Sequence, residues 1–534
     1  MKSLMQDVPL TLDVVLRRCL ETGANTEVVS VTPAGTVRTT WGEIGRRAVA
    51  LAGVLDGLGV AHGGRVATFA WNTHRHVELF LGVPCAGRVV HGVNVRLTDE
   101  EILYQLRNAG DEVLFVDASL TERLSSFADQ MPVRAVVVLE DGGRVHETFA
   151  DAPRYEDLIG AIPDVEPVPS AMPDDAAWIC YTSGTTGLPK GVVSSHLACV
   201  LHSMSSMTVD SHAVSRTDTL LVATPLFHVN AWGLSYTTAL ANAKLVLPGR
   251  DTSGGALASL IESERVTVAA AVPTVWVDLL GPASEPYDMS TLRRAVSGGA
   301  PATRALVDEV ARRGLMFYQG WGMTEMLPSG TMRVQSPDLD LDSPAAQLSR
   351  VGQPSAGVRL RLVGPDGEVL PWDGRTAGEL EASGPWVIKA YLDPDDDSNT
   401  SRFHDGWLRT GDLAVIHPDA TVQIVDRVKD VIKSGGEWIS SLALEQALAA
   451  HPGVAQVAVV AVPHDKWGER PAAAVVAADG MSPCAEELVK FLADRVPRWW
   501  LPDLIVVVDE LPLTTVGKYD KKALRARLSS PSRS

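Results

Sequence analysis

The sequence predicts an α/β protein with a large N-terminal unit and a smaller C-terminal α+β unit. Helical and strand patterns alternate for most of the chain, and the composition changes near residue 428. The length of 534 residues also exceeds what one ordinary core accommodates, so two or more domains are expected. Hydrophobic residues make up 46% and charged residues 21%, a balance that is typical of packed globular proteins.

The N-terminal elements follow from the spacing of apolar residues. Apolar positions at helical spacing alternate with short continuous apolar runs, which are typical of buried strands. Helices are predicted at 40–59 and 257–266, and strands at 65–71, 112–117, 135–140 and 266–273. This alternation favours layers of helices on largely parallel sheets.

The C-terminal unit begins after a change of pattern. Residues 335–349 are polar and rich in Pro, Ser and Asp, so they predict a loop, and antiparallel strands follow at 359–363 and 378–384. A helix–strand–strand–helix–strand pattern then spans about 100 residues, a common domain size. We place the boundary between 428 and 429, which gives an N-terminal domain of residues 1–428 and a C-terminal domain of 429–534.

Charge and cysteine content exclude several classes of protein. The net charge is −18, and an acidic chain without a basic stripe is a poor candidate for nucleic-acid binding. No run approaches the roughly 18–20 apolar residues of a membrane span, and residues 1–18 lack a signal-peptide pattern. The five cysteines are scattered, which favours a reducing compartment. A cytoplasmic enzyme is therefore expected.

Six consecutive small residues, Thr182–Gly187, follow a predicted strand at 178–181 and precede a helix-like segment. Glycines allow close backbone approach, hydroxyls add donors, and Lys190 supplies a compact positive charge. The order of strand, loop and helix suits anion binding. It is not the GxxxxGK[ST] loop, because Lys190 follows Pro189 and precedes Gly191. A flexible linker is the alternative, but the preceding strand and the Pro-Lys-Gly ending favour a phosphate loop.

The run YTSGTTGLPKG (181–191) resembles the phosphate loop of the adenylate-forming superfamily, which includes acyl-CoA synthetases, amino-acid adenylation domains and firefly luciferase. Further motifs follow in that family's order over nearly the whole chain. The resemblance implies layered sheets with a small distorted β-barrel in the N-terminal domain and a small, mobile C-terminal domain. It also implies ATP, Mg²⁺ and coenzyme A, with a small carboxylic acid as substrate. Related fatty-acyl synthetases can be dimers, so the resemblance allows a homodimer and leaves the oligomeric state open.

YQGWGMTE (318–325) resembles the family's aromatic–Gly–x–Thr–Glu motif. A carboxylate is a poor acyl donor. In this family the substrate carboxylate attacks the α-phosphate of ATP and pyrophosphate leaves, while cationic groups stabilise the negative charge on the phosphates. The resemblance implies that Glu325 and Thr185 hold Mg²⁺ and that Thr324 contacts the α-phosphate. Trp321 would lie near the adenine, where the family usually has Tyr or Phe.

DGWLRTGDLA (405–414) resembles the ribose motif, which makes Asp412 the acceptor of the ribose hydroxyls. DRVKDVIKSGGEWIS (426–440) places Arg427 near ribose or phosphate and Lys429 at the hinge between the domains. The loop that approaches the pantetheine chain of coenzyme A would be formed by Lys433, Ser434, Gly435, Gly436, Glu437 and Trp438.

LPLTTVGKYDKKALR (511–525) resembles the motif of the C-terminal catalytic lysine. Lys518 would bridge the substrate carboxylate and the α-phosphate, whereas Lys521 and Lys522 are expected to be solvated. The catalytic residues implied are Lys518, Thr324, Glu325 and His228. The ATP-binding residues implied are Thr182, Ser183, Gly184, Thr185, Thr186, Gly187, Lys190, Gly299, Ala300, Gln319, Gly320, Trp321, Gly322, Thr324, Asp412 and Arg427.

The acyl pocket is predicted from SGGAP (297–301) and PLFHVNAW (225–232), which match the family's pocket segments. Its residues would be His228, Val229, Asn230, Trp232, Gly298, Gly299, Trp321, Gly322 and Met323. Residues 225–235 contain no acid to pair a substrate ammonium, which favours an acid without an amino group. Trp232 is either a gate of the acyl tunnel or a buried core aromatic.

PLFHVNAW together with DRVKDVIKSGGEWIS resembles bacterial fatty-acyl-CoA synthetases and relatives active on short or thioether-bearing acids. The predicted function is activation of a medium- or long-chain fatty acid, or a related non-amino acid, followed by transfer to coenzyme A. The first alternative is a stand-alone adenylating enzyme that passes the acyl group to a carrier protein or another nucleophile. A luciferase-like oxygenating enzyme and an ATP-binding regulator are the remaining alternatives.

Overall fold

Short apolar strands and helices alternate along the chain, as the sequence patterns predict. The structure is a computed structural model that describes residues 4–163, 167, 170–182, 188–335, 350–435, 437–478, 480–513 and 519–529. The helices are α1 Asp13–Glu21, α2 Trp41–Gly57, α3 His74–Cys85, α4 Asp99–Ala109, α5 Thr121–Ser125, α6 Tyr155–Gly160, α7 His196–Ser206, α8 Val229–Trp232, α9 Leu234–Ala241, α10 Gly254–Glu264, α11 Pro273–Leu279, α12 Arg304–Arg312, α13 Ser398–Ser401, α14 Ser441–Ala449, α15 Ala485–Ala493 and α16 Lys521–Ser529.

The strands are short, as expected for an α/β protein. They are β1 Glu27–Thr32, β2 Gly35–Thr40, β3 Arg65–Phe69, β4 Val89–Gly92, β5 Val113–Asp117, β6 Ala135–Leu139, β7 Ala176–Tyr181, β8 Gly191–Ser195, β9 Thr219–Val222, β10 Lys244–Leu247, β11 Val268–Ala271, β12 Arg294–Ser297, β13 Met316–Trp321, β14 Thr331–Gln335, β15 Arg350–Pro354, β16 Arg359–Val363, β17 Val369–Leu370, β18 Gly378–Ser383, β19 Phe403–His404, β20 Trp407–Ile416, β21 Val422–Arg427, β22 Ile432–Ser434, β23 Glu437–Ile439, β24 Val454–His464, β25 Gly468–Ala477 and β26 Leu504–Val507.

Local sequence explains where individual helices begin and end. Thr98 caps α4 by accepting from the backbone N–H of Glu101, whose side chain accepts in turn from the Thr98 backbone, and Gly110 ends the helix in the left-handed region. Thr40 caps α2 in the same way, through the backbone N–H of Glu43. Trp41 then buries its ring against the sheet and donates from its indole to the carbonyl of Ala243 at 2.8 Å. α4 is therefore capped at both ends, and α2 is capped at its N-terminus and held by its first residue.

Two sheets with parallel strands make up the N-terminal part. One has the order β6-β5-β3-β4-β7-β8 and is parallel except for β8. The other is parallel from β1 through β10, β9, β11 and β12 to β13. Every residue of β4, β5 and β11 is buried, which matches their continuous apolar sequences. The predicted strands and helices of this part are confirmed.

The second sheet continues as antiparallel strands beyond β13, in the order β13-β14-β15-β21-β20-β18-β16-β17. The small distorted β-barrel that we expected is not closed among the described strands. Because β15 pairs with β14 on one side and with β21 on the other, these strands extend the large sheet instead of closing on themselves. The bulge between Leu413 and Ala414 in β20 bends this extension close to the ribose motif.

The last sheet, ordered β23-β22-β25-β24 with β26 beside β25, packs against α14 and α15. Its elements match the predicted helix–strand–strand–helix–strand pattern. Lys521 departs from expectation, because it is not solvated. Its ammonium contacts Glu445 at 2.8 Å and Ser441 at 2.9 Å. Lys522 is exposed as expected. None of the helices in the described part of the chain is both long enough and apolar enough to cross a bilayer.

Candidate active site

A cavity of about 780 Å³ is lined by the residues after β12 and β13, by the segment between β18 and β20, and by the end of β21. Parallel strands bring such ends to one edge of a sheet, where ligands commonly bind. The predicted site residues that line the cavity are Thr182, Lys190, His228, Val229, Trp232, Gly298, Gly299, Gly320, Trp321, Gly322, Met323, Thr324, Glu325, Arg427 and Lys429. Motifs far apart in sequence therefore meet in one place.

Some predicted residues lie elsewhere or outside the described residues. Asn230 and Gln319 are buried and Ala300 is exposed, but none of the three lines the cavity. The predicted residues that lie outside the described residues are Ser183, Gly184, Thr185, Thr186, Gly187, Gly436 and Lys518. The described residues of the predicted coenzyme A loop lie on and between β22 and β23, away from the cavity lining.

The phosphate side of the cavity, as we use the term, consists of Lys190, Glu325, Tyr391, Asp396 and Arg402. The two ends of the predicted phosphate loop are tied together, because the backbone N–H of Thr182 donates to the Lys190 carbonyl at 2.9 Å. The Lys190 ammonium contacts the Asp396 carboxylate at 2.7 Å and lies 5.2 Å from the centre of the Tyr391 ring. The Lys190 cation is therefore paired with protein groups within the cavity.

Glu325 lies in a short 3₁₀ turn after β13 and is 3% exposed. Its Oε1 accepts from the Tyr391 hydroxyl at 2.6 Å and from Arg402 at 3.2 Å. Arg402 also donates to the Tyr391 hydroxyl and to the carbonyls of Arg409 and Thr410. Burial, with the nearby Glu325 charge, raises the pKa of Tyr391, so the phenol stays a donor.

The chemistry of Glu325 fits a magnesium ion. Its Oε2 has no hydrogen-bond partner among the described residues and belongs to a side chain that lines the cavity. Mg²⁺ typically keeps several waters and takes one or two carboxylates together with substrate phosphates. A cluster of three or more metal-ligating side chains does not occur within the described ranges. A single carboxylate beside a phosphate loop is therefore the donor set to expect for a metal that arrives with a nucleotide.

The ribose side of the cavity, as we use the term, consists of Trp321, Asp412 and Arg427. Asp412 lies on β20 opposite Arg427 on β21 and is 4% exposed. The Arg427 Nε donates to Asp412 Oδ1 at 2.7 Å, and the Trp321 indole Nε1 donates to Oδ2 at 2.9 Å. The Asp412 charge raises the pKa of Arg427 above its ordinary value. Asp412 itself does not line the cavity. It lies behind its two partners, Trp321 and Arg427, which do line it.

Glycine is required at two positions around the Trp321 side chain. A Cβ on Gly322 would lie 1.3 Å from the carbonyl oxygen of Pro328. A Cβ on Gly330 would lie 2.6 Å from the indole Cζ3 of Trp321. Any larger residue at either position would displace the backbone or the indole, so these glycines allow the Trp321 ring to lie against the chain.

Residues 228–233, which we call the acyl wall after the predicted acyl pocket, have an uncommon backbone, and His228, Val229 and Trp232 of this segment line the cavity. Val229, Asn230, Ala231 and Trp232 have φ values of 49°, 46°, 48° and 62°. Together with Gly233 they form a left-handed turn, so α8 is not a right-handed helix. Such a conformation costs about 1–2 kcal/mol for each residue other than glycine. It persists because all four side chains are buried and because the turn is tied by hydrogen bonds to Pro225, Cys180 and Ser235.

Trp232 lies beside the loop after β12. It is 7% exposed, and its ring is 3.7 Å from the place where a Cβ on Gly298 would lie. The ring lines the cavity and also belongs to the main hydrophobic core. Trp232 is therefore a buried core aromatic that also lines the cavity, and its role as a gate of the acyl tunnel stays a prediction.

Sequence reasoning missed the segment between β18 and β20. Tyr391, Asp396 and Arg402 contact Glu325 or Lys190, yet none was predicted. The available signal was a Tyr followed by an acidic run and an Arg, placed just before the ribose motif. His212 also lines the cavity, and burial lowers its pKa to about 4. No sequence pattern pointed to it.

Comparison with known proteins agrees with this geometry. Residues 16–392 match the AMP-binding enzyme family, and residues 443–518 match the AMP-binding enzyme C-terminal domain. The chain therefore belongs to the AMP-binding enzyme family.

Individual relatives cover nearly the whole chain. A 3-methylmercaptopropionyl-CoA ligase from Ruegeria lacuscaerulensis is 39% identical over 98% of both chains. A long-chain-fatty-acid–CoA ligase from Thermus thermophilus is 41% identical over 98% of this chain and 96% of its own. Among solved structures, the amide bond synthetase McbA from Marinactinospora thermotolerans has a TM-score of 0.84 and 26% identity, with 97% of this chain and 100% of that chain covered.

Proposed function

We propose that the protein uses ATP to convert a carboxylic acid without an amino group into an acyl-adenylate and then into an acyl-CoA, with release of pyrophosphate and AMP. The observation that carries the proposal is that one cavity is lined by Lys190, Glu325 and Trp321, which contacts Asp412, beside an acyl wall that lacks an acid. Relatives at about 40% identity are named CoA ligases. Their acids differ, so chain length is the open variable of this proposal.

In the first half-reaction, the ribose side would hold the nucleoside while the phosphate loop and Lys190 hold the phosphates. Lys190 would exchange Asp396 for phosphate oxygens, because both partners are anionic. Glu325 would hold a magnesium ion, which supplies charge neutralisation at the phosphates when bound. Lys518 would bridge the acid and the α-phosphate as the carboxylate attacks and pyrophosphate leaves.

In the second half-reaction, the thiolate of coenzyme A would attack the acyl carbonyl and displace AMP. We place the hinge at Lys429, with residues 1–428 as the adenylation domain and 429–534 as the mobile domain that carries Lys518. Lys429 lines the cavity two residues after Arg427, the last residue of β21. The loop of Lys433–Trp438 would then approach the pantetheine chain. Cytoplasmic location and a homodimer belong to the same proposal.

A screen of pyrophosphate release tests the proposal. Purified protein is supplied with ATP, Mg²⁺ and acids of graded length, including thioether-bearing acids, with and without coenzyme A. We expect acid-dependent release that yields a matching acyl-CoA by mass spectrometry. ATP binding without pyrophosphate release over the whole panel would overturn the proposal in favour of a regulator.

The second candidate is transfer to another nucleophile instead of coenzyme A. The amide bond synthetase McbA shares the fold over the whole chain, so this fold also occurs with another acceptor. The same assay with a carrier protein or a free amine in place of coenzyme A distinguishes the two. Acyl-adenylate formation with turnover only in the presence of a carrier protein or amine would favour the second candidate.

A further inference from the structure

One hydrogen bond in the cavity links two motifs that the proposed function treats separately. The Trp321 indole Nε1 donates to Asp412 Oδ2 at 2.9 Å, across 91 residues of sequence. Trp321 ends β13 and Asp412 lies on β20, and β14, β15 and β21 separate the two strands in the sheet. The bond therefore bridges the end of the parallel part of the sheet and its antiparallel extension.

The indole is held by the protein alone. Trp321 pairs with Thr331 across β13 and β14, and its carbonyl accepts from the Gly330 backbone N–H at 3.0 Å. The indole lies against Gly330, where a side chain would collide with it. Because the backbone fixes one face of the ring, the indole N–H points in one direction only. In this structure it points at the Asp412 carboxylate.

Counting acceptor sites gives this hydrogen bond a role. An ionised carboxylate offers about four lone-pair sites, two on each oxygen. Arg427 takes one on Oδ1 and Trp321 takes one on Oδ2. Among the described residues, one site on each oxygen then has no partner, which is the number needed for two vicinal hydroxyls. Because both oxygens are anchored, the carboxylate cannot rotate to satisfy one hydroxyl at the expense of the other.

We propose that Trp321 is a positioning residue for ribose, which acts by holding Asp412 so that each carboxylate oxygen accepts one ribose hydroxyl. This inference rests on the proposed function, since it concerns how that site recognises ATP. A Phe at this position keeps an aromatic face for the adenine but offers no N–H to Asp412. The contribution of the indole N–H is thus separable from stacking.

The test compares ATP with 2′,3′-dideoxy-ATP, which lacks both hydroxyls. KM for each nucleotide is measured by pyrophosphate release, and Kd for each is measured without acid by calorimetry, for wild type and Trp321→Phe. We expect Trp321→Phe to weaken ATP about tenfold, the size of a hydrogen bond to a charged group, and to change dideoxy-ATP by less than about twofold. The preference for ATP over dideoxy-ATP should therefore fall about tenfold, which a general loss of packing would not produce.

Two further variants make the result decisive. Trp41→Phe removes an indole N–H that bonds to the Ala243 carbonyl, outside the cavity lining, and should leave the preference unchanged. In an Asp412→Asn background, Trp321→Phe should have no further effect on the preference, because both changes act on one interaction. If Trp321→Phe does not fold, Trp321→Leu is measured in its place. It also lacks a donor, and because both nucleotides lose the ring alike, the preference should still fall about tenfold.

The outcomes separate this inference from the proposed function. Equal weakening of both nucleotides by Trp321→Phe, or an unchanged preference, would overturn the positioning role while the ligase activity stands. A wild-type protein that binds ATP but forms no adenylate would overturn the proposed function, and the binding preference would still test Trp321. Wild-type binding of the two nucleotides with equal affinity would overturn the role of the Asp412 carboxylate and of Trp321 together.

Discussion

The ribose side and the phosphate side of the cavity use the same kinds of group, a carboxylate bonded to a cation and an aromatic donor, in different states. On the ribose side, Trp321 and Arg427 each take one oxygen of Asp412, and acceptor sites remain for a ligand. On the phosphate side, Tyr391 and Arg402 both bind the same oxygen of Glu325, and Lys190 is paired with Asp396. The ribose carboxylate thus keeps acceptor sites behind Trp321 and Arg427, whereas the Lys190 cation of the phosphate side is already paired with an acid.

This difference predicts that the ribose side acts mainly on the affinity for ATP and the phosphate side mainly on the rate of reaction. Ribose is remote from the reacting atoms, so its contacts are equally strong in the ground state and in the transition state and should appear mainly in KM. Charge develops at the phosphates during the reaction, so contacts on the phosphate side should appear mainly in kcat. Each variant below is a way to break or sharpen that comparison.

The largest expected effect is that of Lys518→Ala, which removes the cation proposed to bridge the acid and the α-phosphate. We expect acid-dependent pyrophosphate release to fall below detection, while thioester formation from a synthetic acyl-adenylate continues. The control is Lys522→Ala, an exposed lysine on α16, which should retain both half-reactions. Loss of both half-reactions in a folded Lys518→Ala protein would contradict the assigned role.

Glu325→Gln should be next in size, because it removes the proposed metal ligand and keeps the side-chain shape. We expect kcat for pyrophosphate release to fall about 10²–10³-fold, with a smaller change in KM for ATP. Tyr391→Phe removes one hydrogen bond to Glu325 and keeps the carboxylate, so it should lower kcat for pyrophosphate release by about tenfold. Steady-state kinetics over a range of Mg²⁺ concentrations provides the measurement. A normal kcat in Glu325→Gln would contradict the proposal that Glu325 contributes to the rate of adenylation.

Asp412→Asn should show the opposite pattern. The amide keeps one acceptor oxygen but places an N–H₂ donor where the second oxygen was, so one ribose hydroxyl loses its partner. We expect KM for ATP to rise about tenfold while kcat changes by less than about threefold. The same kinetics applied to Glu325→Gln serves as the matched comparison. If Asp412→Asn lowers kcat as much as Glu325→Gln does, the ribose side does not act mainly on KM and the proposed difference between the two sides is wrong.

Asp396→Asn should have a smaller effect, and in the favourable direction. The amide oxygen can still accept from the Ser398 backbone, but the charge that pairs with Lys190 is gone. We expect KM for ATP to fall about threefold at low salt, with the difference narrowing as ionic strength rises. Asp395→Asn removes the same charge one residue away, at an exposed side chain without the Lys190 contact, and should leave KM nearly unchanged. Equal effects of both variants would mean that only the overall charge matters.

The last expected effect concerns stability at low pH and lies outside the kinetic series. It must be separated from chemistry, because unfolding removes the contributions of the ribose side and the phosphate side together. Burial lowers the pKa of His202 to about 3, and neither of its ring nitrogens has a hydrogen-bond partner among the described residues. Below the unfolded value of about 6.5, the unfolded chain takes up a proton that the folded chain does not. Stability from this group is therefore present above pH 6.5 and is lost as pH falls towards 3.

His202→Phe tests that assignment and keeps the edge-on contact with Trp386. Between pH 6.5 and 4, we expect the free energy of unfolding to depend on pH less steeply than in wild type, by up to about 1.4 kcal/mol per pH unit. Urea unfolding at several pH values measures the slope. Parallel curves for the two proteins would show that His202 does not contribute to the acid sensitivity.

Local patterns in the sequence were sufficient for the elements and for roughly half of the cavity lining. The strands and helices follow from apolar periodicity, and the site residues belong to short motifs with fixed internal spacing. Contacts between motifs were not predictable, since Tyr391 and Arg402 reach Glu325 from 66 and 77 residues away. The Trp321–Asp412 bond likewise depends on strand order, which no local pattern encodes.

The acyl wall shows a second limit of local reasoning. Val, Ala and Trp at 229, 231 and 232 have no local preference for left-handed backbone, and only Gly233 signals it. The conformation is set by surrounding contacts, because the four residues before Gly233 are buried and the turn is bonded to neighbouring segments. Tertiary structure overrides local preference here, next to the proposed acyl pocket.

The left-handed turn also bears on how this pocket can change over evolutionary time. Each residue on the turn must tolerate mirror-handed backbone, so a substitution that would suit the substrate can still be lost to misfolding. β-Branched replacements of Ala231 or Trp232 are the most constrained. Met323 and Met332 also line the cavity, have φ values outside the left-handed region and carry flexible side chains. New acid preferences should therefore arise more readily at these two methionines, while the turn stays as inherited.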